Sequence, residues 1–108
     1  MRLEDSIKVC RLIDSYGSLL TSKQLEMMTS YYFDNLSLAE IGDNYGISRQ
    51  SVKCTIDQAI SALVEYESKL KVIDKTDRIV DLLSTMVTKC TDDNIVKDVT
   101  AIIEELRG

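Results

Sequence analysis

The stretch SLAEIGDNYGISRQSVKCTI, Ser37 to Ile56, decides how this chain folds. Ser37 followed by Glu40 has the spacing in which a hydroxyl accepts from the amide three residues on while a carboxylate reaches back, so a helix starts there. That helix holds little beyond Leu38, Ile41 and Tyr45 before Gly46, which supplies a sharp turn that a side chain would resist. Ser48 then stands where a second helix needs its N-cap. Ile41, Tyr45, Ile47 and Val52 furnish a small core between the two helices, and Gly42 permits their close approach. The pattern predicts a helix-turn-helix.

Working outward, the second helix of the motif has no breaker from Arg49 to about Leu70. Val52, Ile56, Ala59, Ile60, Leu63, Tyr66 and Leu70 recur along it at three- to four-residue spacing, which makes it longer than the motif requires. Upstream, Leu3, Ile7, Cys10, Leu12, Ile13 and Tyr16 give a first helix, with Gly17 placed as a left-handed terminator. Thr21 with Gln24 repeats the capping-box spacing. Leu25, Met28, Tyr31, Tyr32 and Phe33 then form the apolar stripe of a second helix closed by Asp34 and Asn35.

Downstream, a charged stretch from Lys71 to Asp77 precedes a fifth helix over residues 78–90, with Ile79, Val80, Leu82, Leu83, Met86 and Val87 on its apolar face. Thr91 or Asp92 starts a sixth, carrying Ile95, Val96, Val99, Ile102, Ile103 and Leu106. With no proline and only four glycines, the chain reads as all-α throughout. At 108 residues it is expected to be one domain. Its helix-turn-helix core spans about 20–70 and a C-terminal helical extension about 71–108.

Composition narrows the chemistry. There is no histidine, and the three cysteines, Cys10, Cys54 and Cys90, are widely separated without metal-ligand spacing. A disulfide scaffold, a zinc site and histidine-based catalysis therefore lack support. The cysteines read as small, half-buried apolar residues, and neither an enzymatic activity nor a cofactor is expected. No apolar run approaches the roughly 20 residues that span a bilayer. The first seventeen residues mix charges among apolar positions, unlike a signal peptide, so no membrane partner and a cytoplasmic location are expected.

The candidate DNA-binding residues are Lys23, Ser48, Arg49, Gln50, Ser51 and Lys53. The first turn of the helix after Gly46 offers free backbone amides and the positive end of the helix dipole, which suit phosphate. Arg49 and Gln50 suit guanine and adenine edges, and Lys53 a phosphate. A solvated helix face would carry the same residue types.

LTSKQLEMMTSYYFDNLSLAEIGDNYGISRQSV, from Leu20 to Val52, resembles the fourth conserved region of bacterial sigma factors, which reads the promoter's upstream element. That family places basic residues where Arg49 and Lys53 stand. It differs in having charged or amide side chains where this chain has Ser51 and Cys54, and an apolar residue where it has Thr55, the apolar position here moving to Ile56. LTSKQ, Tyr31-Tyr32, ISRQSV, the Thr55-Ile56 shift and YESKL at Tyr66 to Leu70 together resemble the YlxM proteins of Gram-positive bacteria. The resemblance implies an all-helical DNA-binding regulator and, through gene neighbourhood in that group, a place beside the signal recognition particle in protein targeting.

Charge pulls the other way. The net charge is -5, and residues 21–47 hold one basic residue against four acidic. DNA affinity comes largely from phosphate neutralisation, so one copy is expected to bind double-stranded DNA weakly. A homodimer would set two reading helices on neighbouring half-sites. The two C-terminal helices could supply its contact, or pack back on the long helix. An acidic surface equally suits an adaptor that binds a targeting GTPase, its RNA or RNA polymerase through a sigma-like fold.

Overall fold

A computed structural model describes residues 3–108, without the side chains of residues 3 and 4. The side chain of Leu3, expected in the first apolar stripe, lies outside the described residues. The elements are α1 (Leu3–Tyr16), a single 3-10 turn (Gly17–Leu19), α2 (Ser22–Tyr32), α3 (Leu38–Tyr45), α4 (Arg49–Leu70), α5 (Val72–Lys89) and α6 (Asp93–Arg107). The described residues contain helices and their connections and no strand. Two compact units divide the chain, one ending at Leu70 and the other spanning Lys71–Gly108.

In the first unit α4 is the shared wall, contacted by α1, α2 and α3. Val52, Ile56, Ala59 and Leu63 are its buried face, one residue per turn as the 3.6-residue repeat demands. Against them stand Ile13 and Tyr16 from α1, Met27 and Met28 from α2 and Ile41 from α3. The Tyr16 ring lies 6.1 Å from that of Tyr66, and its hydroxyl donates to the Glu67 carboxylate, so this buried phenol is both packed and hydrogen-bonded.

Both expected capping boxes form. Thr21 Oγ1 accepts from the Gln24 amide at 3.2 Å and Gln24 Oε1 from the Thr21 amide at 3.1 Å. Ser37 and Glu40 do the same at 3.1 and 3.2 Å. Each box satisfies amides that the first turn of a helix leaves without partners.

Several local expectations are corrected. Gly17 does not terminate α1 in the left-handed region; it opens the 3-10 turn and is buried, where a Cβ would come within 3.1 Å of Leu25 Cδ1. Met27 is as buried as Met28, because α2 is contacted by α1, α3 and α4 and so hides two adjacent faces. Phe33, assigned to that stripe, is exposed beyond the helix end, and the connection turns at Asn35 with φ 56°. In α1 the buried residues include Val9, whereas Ile7 is exposed.

In the second unit α5 and α6 form an antiparallel helical hairpin, joined by three residues and packed through Val80 and Val99. The charged stretch Lys71 to Asp77, expected to precede α5, belongs to it from Val72 on. Lys71 alone breaks the helix, with φ 54°, and α5 begins at Val72. Asp74 in the first turn suits the helix dipole and approaches Arg78 at 3.9 Å, so the charges are the polar face of a helix. Asp92 caps α6, accepting from the amides of Asn94 and Ile95 at 2.9 and 3.4 Å.

Candidate nucleic-acid interface

The start of α4 is fixed by three devices. Gly46 adopts φ 67°, and the Ile47 amide donates back to the Gly42 carbonyl at 3.0 Å, the bond that closes a left-handed helix end. Ile47 thereby folds onto Gly42. Ser48 Oγ accepts from the Ser51 amide at 3.0 Å and donates to Ser51 Oγ at 2.9 Å, capping α4. Val52 is 0% exposed, which seats the first turn on α3 and aims its neighbours outward.

Of the residues singled out from the sequence, Arg49, Gln50 and Lys53 come together. They line a shallow groove with Tyr31 from the end of α2 and Ser37, Leu38 and Ala39 from the start of α3. Arg49 is exposed and makes no ion pair among the described residues. Ser48 and Ser51 are exposed too, but their hydroxyls bond each other and the helix end. Lys23 lies exposed in the first turn of α2 and does not line the groove.

Lys53 is not a free cation. Its Nζ donates to Asp57 Oδ2 at 2.8 Å one turn on, and that bond holds the ammonium above the ordinary lysine range. Further along the same helix Gln50, Cys54, Asp57, Gln58 and Ser61 border a second depression. Cys54 is thus exposed rather than half-buried. Thr55 Oγ1 donates to the Ser51 carbonyl at 3.1 Å, so the residue that departs from the sigma pattern is tied to its own helix.

Tyr45 also departs from expectation. It is 37% exposed at the end of α3 rather than packed in the motif's core. Its hydroxyl donates to Glu26 Oε2 at 2.7 Å, which raises the phenol's pKa and links α3 to α2. Tyr31 was legible only as an apolar position. Its place at the helix C-terminus just before the motif is the signal that could have marked it as groove-lining, since tyrosine commonly carries an apolar body and a polar tip.

A helix-turn-helix of this geometry invites comparison with known families, and residues 3–103 match the model of the UPF0122 family, described as "Putative helix-turn-helix protein, YlxM / p13 like". The chain belongs to that family. The UPF0122 protein YlxM of Bacillus subtilis is 36% identical over 106 residues, covering 98% of this chain and 96% of the relative. A UPF0122 protein of Bacillus pumilus is 39% identical over 106 residues with the same coverage. One from Shouchella clausii is 36% identical over 104 residues, covering 96% and 95%. The UPF0122 description is of a helix-turn-helix protein and not of an enzyme, and among the described residues no helix is long and apolar enough to cross a membrane.

Proposed function

We propose that this protein binds double-stranded DNA through the first turns of α4 and acts as a cytoplasmic, non-enzymatic regulator. The observation that supports this best is the pairing of a buried Val52 with Arg49, Gln50 and Lys53 along one open groove. Such an arrangement anchors a reading helix while leaving its polar edge exposed. Arg49 and Gln50 contact base edges, Lys53 and Lys23 contact phosphates, and Ser48 and Ser51 position the helix start while offering their amides to the backbone of the duplex. With few cations engaged, binding is weak and its salt dependence shallow, with a slope of about -2 to -3 in log-log form. Two copies acting together raise the affinity.

Within the cell, resemblance to the YlxM group supports a role beside the signal recognition particle, regulating or assisting protein targeting. The net charge of -5 favours a second function, in which the same fold serves as an adaptor for protein or RNA partners of that machinery.

Fluorescence anisotropy with duplex DNA at low salt tests the first. Arg49→Ala and Gln50→Ala are expected to weaken binding by about tenfold each, the size of one lost base contact. Equal binding by wild type and both variants would remove this face of α4 from DNA recognition, and no duplex binding by any of the three would leave the adaptor.

A further inference from the structure

The α5–α6 hairpin covers only part of its apolar surface. Val80 and Val99 are buried between the helices, yet Ile79, Leu82 and Met86 of α5 and Ile95 and Ile102 of α6 are each between 45% and 68% exposed. At 100° per residue the three α5 side chains form a seam about a quarter-turn from the one facing α6. Ile95 and Ile102 are displaced in the same rotational sense from Val99 and Ile103. Because the helices run antiparallel, equal senses of displacement bring both seams onto one face of the hairpin. A 38-residue pair of helices needs a further layer on that face.

The charges beside the seams differ between the two helices. Lys75 lies within the α5 seam, and Arg78 and Lys89 follow along its outer edge, with Asp74 one turn back at 3.9 Å from Arg78, while Asp77 and Asp81 lie further round the helix. The outer edge of the α6 seam carries Asp98 and Glu105. One face therefore presents a basic border on α5 and an acidic border on α6. A two-fold axis parallel to the helices lays α5 of one copy against α6 of the other, antiparallel, with the basic border meeting the acidic border on both sides. Height along the hairpin, counted from its three-residue connection, sets Glu105 of one copy level with Lys75 and Arg78 of the other.

We propose that this face is the contact between two copies of the chain, which close it as an antiparallel four-helix bundle. Pairing α5 on α6 gives every helix only antiparallel neighbours, so dipoles as well as charges favour it. The bundle uses none of the groove-lining residues, and the proposal holds or fails independently of DNA binding.

Sedimentation equilibrium of the full chain over a concentration series tests it. Wild type is expected at twice the 12.2 kDa chain mass. Leu82→Glu, at an exposed position that the fold of one chain does not need, is expected to raise the dissociation constant by roughly tenfold or more with helicity unchanged by circular dichroism. Arg78→Glu and Glu105→Arg are each expected to weaken the dimer, and the two together to restore it. A wild-type chain of single mass would overturn the proposal and assign the face to another part of the chain or a different partner. A dimer indifferent to Leu82→Glu, or single charge reversals without mutual rescue, would overturn it as well.

Discussion

Gly42 lies so close to Ile47 that a Cβ built on it would stand 2.7 Å from the Ile47 carbonyl oxygen and 3.5 Å from the Arg49 amide nitrogen. The missing side chain is what lets the turn fold back and set the first residue of α4 against α3. Both neighbours are backbone, which cannot swing aside. Gly42→Ala is expected to destabilise the protein by about 1–3 kcal/mol, the usual range for overpacking. Gly46→Ala meets nothing within 4 Å and strains only a φ of 67°, so about 1–2 kcal/mol is expected. Thermal melts check both losses, and duplex binding distinguishes the two, since only Gly42→Ala moves Arg49 and should also weaken it.

Ser48 supports the helix that carries Arg49 and Gln50. Removing its hydroxyl orphans the Ser51 amide, so Ser48→Ala is expected to lower stability by about 1 kcal/mol. Ser48→Asp keeps an acceptor at the N-cap and should recover most of it. Urea unfolding followed by circular dichroism checks both, and a stable Ser48→Ala variant would show the cap to be unnecessary.

The motif was legible because its signals are local. Thr21 with Gln24, Ser37 with Glu40, the left-handed Gly46 and the unbroken run from Arg49 to Leu70 each depend on residues a few positions apart, and each appears in the structure as expected. What escaped was decided by tertiary contact. Met27 is buried because three helices surround α2, and Tyr45 is exposed because Glu26 on a neighbouring helix holds it at the surface. The start of α5 escaped for a different reason: a single left-handed Lys71 ends α4, and charges expected to precede α5 belong to its polar face. Within the groove, Arg49, Gln50 and Lys53 follow from position after the turn, whereas the Lys53–Asp57 bond could be read as spacing but not as an occupied contact.

Tyr32 should ionise well above the ordinary tyrosine range. Its hydroxyl oxygen is buried with no hydrogen-bond partner among the described residues, and burial, reinforced by the adjacent Tyr31 ring at 5.0 Å, pushes its pKa up to about 12. A folded-state pKa above the unfolded one leaves stability intact below the unfolded value. Stability is then lost as pH rises from near 10 towards 12. Ultraviolet titration should show a late phenolate contribution that Tyr32→Phe removes. Because that substitution removes an unpaired polar atom, stability at neutral pH should hold or rise by about 1 kcal/mol.

Asp57 restrains the one lysine that lines the groove. Its carboxylate accepts from Lys53 Nζ at 2.8 Å and adds a negative charge beside the face proposed to meet phosphates. Both side chains are more than half exposed, at 56% and 59%, so the bond contributes little to the fold and can open when a phosphate competes. Asp57→Asn removes the competing charge and leaves a side chain of similar shape. Duplex affinity at low salt is expected to rise by about three- to tenfold, and the salt slope to steepen by about one as Lys53 engages fully. Lys53→Ala should do the reverse, and in the double variant the gain from Asp57→Asn should shrink, because it acts largely by freeing that ammonium. If Asp57→Asn binds DNA no better than wild type at low salt, α4 does not present Lys53 to a phosphate.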